Sequence, residues 1–130
     1  MSTITHINPA DLHTNPAFSQ GTLVESGRTL YVGGQNGTDK NGDIVEGGLA
    51  EQTSQALKNV LSVLAAVNAS QEHVAKMNVY LAPNADAQEG FGASMKVWGN
   101  HPTAITVLRV AEFARPGVLV EIDAIAILPS

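Results

Sequence analysis

Cysteine is absent from the chain, which excludes a disulfide scaffold, a thiolate nucleophile and any cysteine-ligated metal. Charge is also scarce, with only 15% of residues charged. The seven Lys and Arg residues are scattered (Arg28, Lys40, Lys58, Lys76, Lys96, Arg109 and Arg115). No basic cluster could track a phosphate backbone, so electrostatics give no support to nucleic-acid binding. No apolar run approaches the ~20 residues that a membrane span needs. The start, MSTITHINPADLHTNP, has neither a basic n-region nor an apolar h-region, so no signal peptide is expected and a soluble cytoplasmic protein is the default reading. Four histidines, His6, His13, His73 and His101, show no ligand spacing, so no metal site is expected.

What is present is apolar material for one core. The 130 residues are 44% hydrophobic with a net charge of −5 and a pI near 5.2. That suits a single domain over 1–130 and leaves too little chain for two. Residues 48–67 carry the clearest periodicity. Leu57, Val60, Leu61, Leu64 and Val67 recur at spacings of three and four, which predicts an amphipathic helix. Gly47-Gly48 precede it and Asn68 ends it. A second helix is expected over 86–98, with Phe91, Met95 and Trp98 on one side and Gly90 and Gly92 weakening it.

Strands are expected at 3–7, 18–25, 29–32, 73–81 and 104–111, and in the closing run VLVEIDAIAIL. The element order implies an α+β two-layer domain, a mixed sheet with two helices on one face. Strand 104–111 is apolar on both faces. The chain is too short to cover the second one, so oligomerisation through the sheet is expected.

The closing strand carries two acids, Glu121 and Asp123, which point to one face because strand side chains alternate. An acid among Val, Leu, Ile and Ala needs a partner, a subunit interface or a ligand. If the last two strands form a hairpin, Arg109 falls opposite Glu121, and such an ion pair explains the acid without any function. The two acids sit on Cα atoms ~6.5 Å apart, a range open to a glycosidase pair, but a short chain offers no sugar cleft. Gly33-Gly34 lack the rest of a phosphate-binding motif and read as a turn or a close backbone approach. Ser19 has no His–acid pair beside it in the sequence, so a nucleophilic triad is unsupported.

Phe18-Ser19-Gln20, Gly33-Gly34-Gln35, EQTSQALKNVLSVLAAVNAS, VAKMNVYL and RPGVLVEIDAIAI together resemble the RidA family. It is also known as YjgF, L-PSP endoribonuclease or translation inhibitor. The resemblance implies a chorismate-mutase-like fold and a homotrimer whose sheets form a central barrel with clefts between subunits. It also implies cofactor-independent hydrolysis of enamines and imines such as 2-iminopropanoate.

Carried over residue by residue, the family's Tyr-Ser-Gln stands here as Phe18-Ser19-Gln20. Its Ser-Gly-Gln stands as Gly33-Gly34-Gln35, and its C-terminal glutamate matches Glu121. The Pro-Ala-Arg of the deaminases, aligned on Val110-Ala111, stands as Thr103-Ala104-Ile105, so the carboxylate-clamping guanidinium is an aliphatic side chain. Arg109 lies ~13 Å further along the strand and cannot replace it in the same ligand frame. The resemblance thus implies Glu121 as catalytic residue, with Phe18, Gly33, Gly34, Ile105 and Arg109 as candidate ligand contacts. A small-molecule ligand is expected and no metal. The alternatives are a non-catalytic ligand-binding trimer, in a cleft made greasier by Ile105, Met95 and Phe18, and a ribonuclease. The acidic pI and the absence of a catalytic histidine pair argue against the ribonuclease.

Overall fold

A computed structural model describes residues 4–130. Its elements in chain order are β1 (Ile4–Ile7), β2 (Gly21–Val24), β3 (Arg28–Asn36), α1 (Gly48–Ala65), a 3₁₀ turn (Gln71–His73), β4 (Val74–Leu81), α2 (Ala87–Trp98), β5 (Ala104–Arg109) and β6 (Val120–Leu128). Of the strand expected at 3–7, Thr3 lies outside the described residues. The strand expected over 18–25 is shorter, and Phe18 precedes it in a loop.

The apolar stripe of α1 works as its spacing implies. Leu57, Val60 and Leu64 are almost fully buried against Val32 of β3, Met77 of β4 and Val120, Ile122 and Ala124 of β6. Each such side chain contributes roughly 1.5–3 kcal/mol by leaving water. The helix starts after Gly47, whose φ of 113° suits glycine. The chain turns away at Asn68, which takes the left-handed region at φ 59°.

The main sheet has the order β3-β6-β4-β5. β3 and β4 pair antiparallel to β6, while β5 pairs parallel to β4. This overturns the expected hairpin of the last two strands. A parallel neighbour needs a crossover, and α2 supplies it. β5 is thereby placed on the outer side of β4, and residues 110–119 must return across β4 before β6 can begin. Arg109 sits beside Leu81, and Glu121 sits between Tyr80 and Asn36. The expected Arg109–Glu121 pair does not form.

Gln52 anchors that return segment. Its side chain, only 4% exposed, accepts from the Leu119 backbone N–H at 2.9 Å and donates to the Gly117 carbonyl at 3.0 Å. Gly37 permits the approach, since a Cβ there would lie 2.5 Å from Gln52 Cα.

The helices cover one face of the sheet. The other face displays Tyr31, Lys76, Asn78, Tyr80, Thr106, Leu108, Glu121, Asp123 and Ile125, assigned by register and alternation. The small β1–β2 sheet shields one end of it, where Ile4 and Val24 pack with Ala75, Ile125 and Ile127. The remainder is open, with Tyr31 75% and Leu108 51% exposed. The expectation that this face stays uncovered within one chain therefore holds for most of it and fails at the β1–β2 end.

Candidate functional site

All the candidate residues except Arg109 fall into two groups on opposite faces of the sheet. Glu121 and Gly34 form the first, on the open face. β3 carries one extra residue against β6 between Val32 and Gln35, a bulge that contains Gly33 and Gly34. Glu121 packs across it, and a Cβ added to Gly34 would lie 2.8 Å from Glu121 Cδ. Glycine is what permits the carboxyl to rest there. Gly33 is exposed, with no atom near its would-be Cβ.

The Glu121 carboxylate is held from the other side. Asn36 Nδ2 donates to Glu121 Oε1 at 3.1 Å. Asn36 is itself braced by α1, where Asn59 Nδ2 donates to the carbonyls of Asn36 and Thr38 at 3.1 and 2.9 Å. Gln55 Nε2 in turn donates to Asn59 Oδ1 at 3.0 Å. A row of side-chain amides thus runs from α1 to one carboxylate oxygen. Sequence reasoning missed Asn36, Asn59 and the half-buried Gln55. The available signal was the i, i+4 amide pair Gln55–Asn59 flanking the apolar stripe.

Asp123 lies beside this group. It accepts from Asn78 Nδ2 at 2.8 Å. The Tyr80 phenol is raised above its ordinary 10.0, first by desolvation, then by its hydrogen bond to Asp123 and the negative charges of Asp123 and Glu121. Lys76 Nζ donates to Thr106 Oγ1 at 2.6 Å on the same face.

The second group, Phe18, Met95 and Ile105, lies on the helix face. α2 packs mainly on α1 and leaves a groove of about 590 Å³ between itself and the β4–β5 edge. Ile105 and Val107 form its floor with Met77 and Val79 of β4, while Phe91, Met95 and Trp98 of α2 form its roof. Phe18 enters from the loop before β2. That loop is fixed to the start of β5 by Ser19, whose N–H donates to the Thr103 carbonyl at 2.9 Å and whose hydroxyl donates to the Pro102 carbonyl. Ser19 is therefore buried as a structural contact, and Phe18 also meets the His13 ring edge-on at 6.2 Å.

Ile105 and Glu121 therefore cannot share a pocket within one chain, because the sheet separates them. Arg109 joins neither group. Its Nη2 donates to the Ala85 carbonyl at 3.2 Å at the end of β5. Among the described residues, no helix is long and apolar enough to cross a membrane.

The chain matches the model of the family described as Endoribonuclease L-PSP over residues 9–128. It is 39% identical over 117 residues to the 2-iminobutanoate/2-iminopropanoate deaminase of Rattus norvegicus, covering 85% of this chain and 80% of that protein. It is 35% identical over 111 residues to the protein of the same name from Homo sapiens, covering 85% and 79%. Among solved structures it resembles a Rid-family protein of unknown function from Yersinia pestis, with TM-score 0.86, 30% identity and coverage of 97% of this chain and 99% of that one. A family match over nearly the whole sequence, agreeing with this fold likeness, is decisive: the chain belongs to the endoribonuclease L-PSP family, the RidA family.

Proposed function

We propose that this protein hydrolyses a small imine or enamine without a carboxylate, in clefts between the subunits of a homotrimer. The observation that carries this reading is the placement of Glu121. Its carboxyl rests on Gly34, is held at one oxygen by Asn36, and stands on a sheet face that a single chain leaves open. Since Ile105 and Glu121 lie on opposite faces of the sheet, they meet only if one subunit's Glu121 faces the next subunit's groove. Tyr31 and Leu108 are large exposed apolar side chains on that open face, as expected of a surface that packs against other copies.

The chemistry needs only a base, a water and a ligand held in place. Glu121 accepts a proton from water as the oxygen attacks the C=N carbon. It returns that proton to nitrogen, giving a neutral carbinolamine, and then carries the hydroxyl proton to the same nitrogen, so that the C–N bond breaks and ammonia leaves as the carbonyl forms. No redox partner is required.

The deaminases' arginine is replaced at the aligned position by Ile105, and Arg109 stands at the far end of the strand. A charge-assisted bond to a substrate carboxylate is worth ~1.5–3 kcal/mol, so 2-iminopropanoate should be turned over one to two decades more slowly than by an arginine-bearing relative. The test generates 2-iminopropanoate with a serine dehydratase and follows its decay beside that of a neutral imine such as acetophenone imine. Faster decay of the neutral imine supports the reading, and 2-iminopropanoate decay at the relative's rate contradicts it.

A further inference from the structure

We infer that Asn36 is a positioning residue for the Glu121 carboxylate: its amide ties down one oxygen, Oε1, and thereby assigns the proton transfers of the reaction to the other, Oε2. This deepens the functional reading above and rests on it for Glu121 being the base.

The orientation of the amide is set from outside the carboxylate. Asn36 Nδ2 donates to Glu121 Oε1 at 3.1 Å and also to the Val120 backbone carbonyl at 3.3 Å. A backbone carbonyl can only accept. Turning the amide over would set Asn36 Oδ1 against that carbonyl with no proton between them. Asn36 therefore always presents N–H to Oε1, and an oxygen already accepting an N–H is the weaker base of the two. Among the described residues, no hydrogen bond reaches Oε2. It is the carboxyl atom nearest Gly34, at a bulge where Gly33 and Gly34 are both exposed. Oε2 is the oxygen left free to take a proton from water and to hand it on.

The amide is held in turn by α1. Asn59 Nδ2 donates to two carbonyls, those of Asn36 and Thr38, which uses both of its hydrogens. Its Oδ1 is thus the atom turned to Gln55 Nε2, 3.0 Å away. Three amides are locked in one donor order, and the Asn36 backbone is pinned both by Asn59 and by its register opposite Glu121. A base displaced by about 1 Å can lose about 10²-fold in rate, so this bracing bears on the chemical step. Asn36 acts only through Glu121, and its loss should fall on kcat rather than on KM.

The contact and the catalysis are measured separately. In a ¹H–¹⁵N spectrum of the wild-type protein, the Asn36 side-chain amide should shift as Glu121 titrates. That shift should disappear in Glu121→Gln, although Lys76, Tyr80 and Asp123 still titrate on the same sheet face. In the imine assay, Asn36→Leu should lower kcat about 10–100-fold and leave KM within about twofold. An amide that does not follow Glu121 would overturn the inference. So would an Asn36→Leu protein with wild-type kcat, or one impaired in KM alone, beside an inactive Glu121→Gln; the functional reading would then stand without it. If the wild-type protein hydrolyses no imine, the functional reading fails, and the amide titration still decides whether Asn36 holds Oε1.

Discussion

Glu121 shows how one side chain is set by its neighbours. It was legible in the sequence as an acid in an apolar strand, and its contacts turn that oddity into a prepared carboxylate. Glu121→Gln should lower imine hydrolysis by about 10²–10⁴-fold with little change in melting temperature, measured as initial rates on the same neutral imine. Gly34→Ala should also lose activity, because its Cβ would occupy the place of the carboxyl. Tyr80 makes a separate prediction. Its phenol is raised above 10.0, so the folded state favours the protonated form. The stability this provides is complete below pH 10 and is lost as pH rises through the folded-state value. In a Tyr31→Phe background, ultraviolet phenolate titration should place Tyr80 above the ordinary value, and Asp123→Asn should bring it down. Asn36 and Asn59 were not legible, because their importance arises only once β3, β6 and α1 are side by side.

At the level of elements, α1 was read nearly to its ends because its 3–4 spacing is a local property. Leu64→Ala, at a fully buried position, should cost about 2–5 kcal/mol by denaturant unfolding. The strand order was not legible. A hairpin and a crossover give similar local patterns in residues 104–128, and the difference is that β5 joins β4 in parallel through α2. That one change removed the Arg109–Glu121 pair and freed Glu121 from the structural explanation the sequence had allowed. The groove was equally hidden. Phe91, Met95 and Trp98 announce an apolar helix face, yet nothing local says that α2 will rest chiefly on α1 and leave part of that face over an empty floor.

For the whole molecule, the two groups of candidate residues have to be read together. One subunit presents a carboxylate on its open face and a groove on its helix face, with the sheet between. On the proposed reading, a complete site requires a second copy. Sedimentation velocity should show a trimer, and Tyr31→Glu, which places a charge at the most exposed large apolar side chain of the open face, should shift it toward monomer with loss of activity. The sequence carried the oligomer as an expectation, through strands apolar on both sides. It carried nothing about which residues would meet, since that depends on faces and strand order rather than on spacing. The most direct measurement mixes two variants each expected to be inactive, Glu121→Gln and Val107→Trp, whose indole would fill the groove that Val107 lines, unfolds and refolds them together in equal amounts, and assays hydrolysis of the neutral imine. If each cleft takes Glu121 from one subunit and the groove from its neighbour, random assembly gives an intact cleft at about a quarter of the sites, and about a quarter of the wild-type rate should return. No recovery from a mixture that refolds to the wild-type assembly would contradict a shared site.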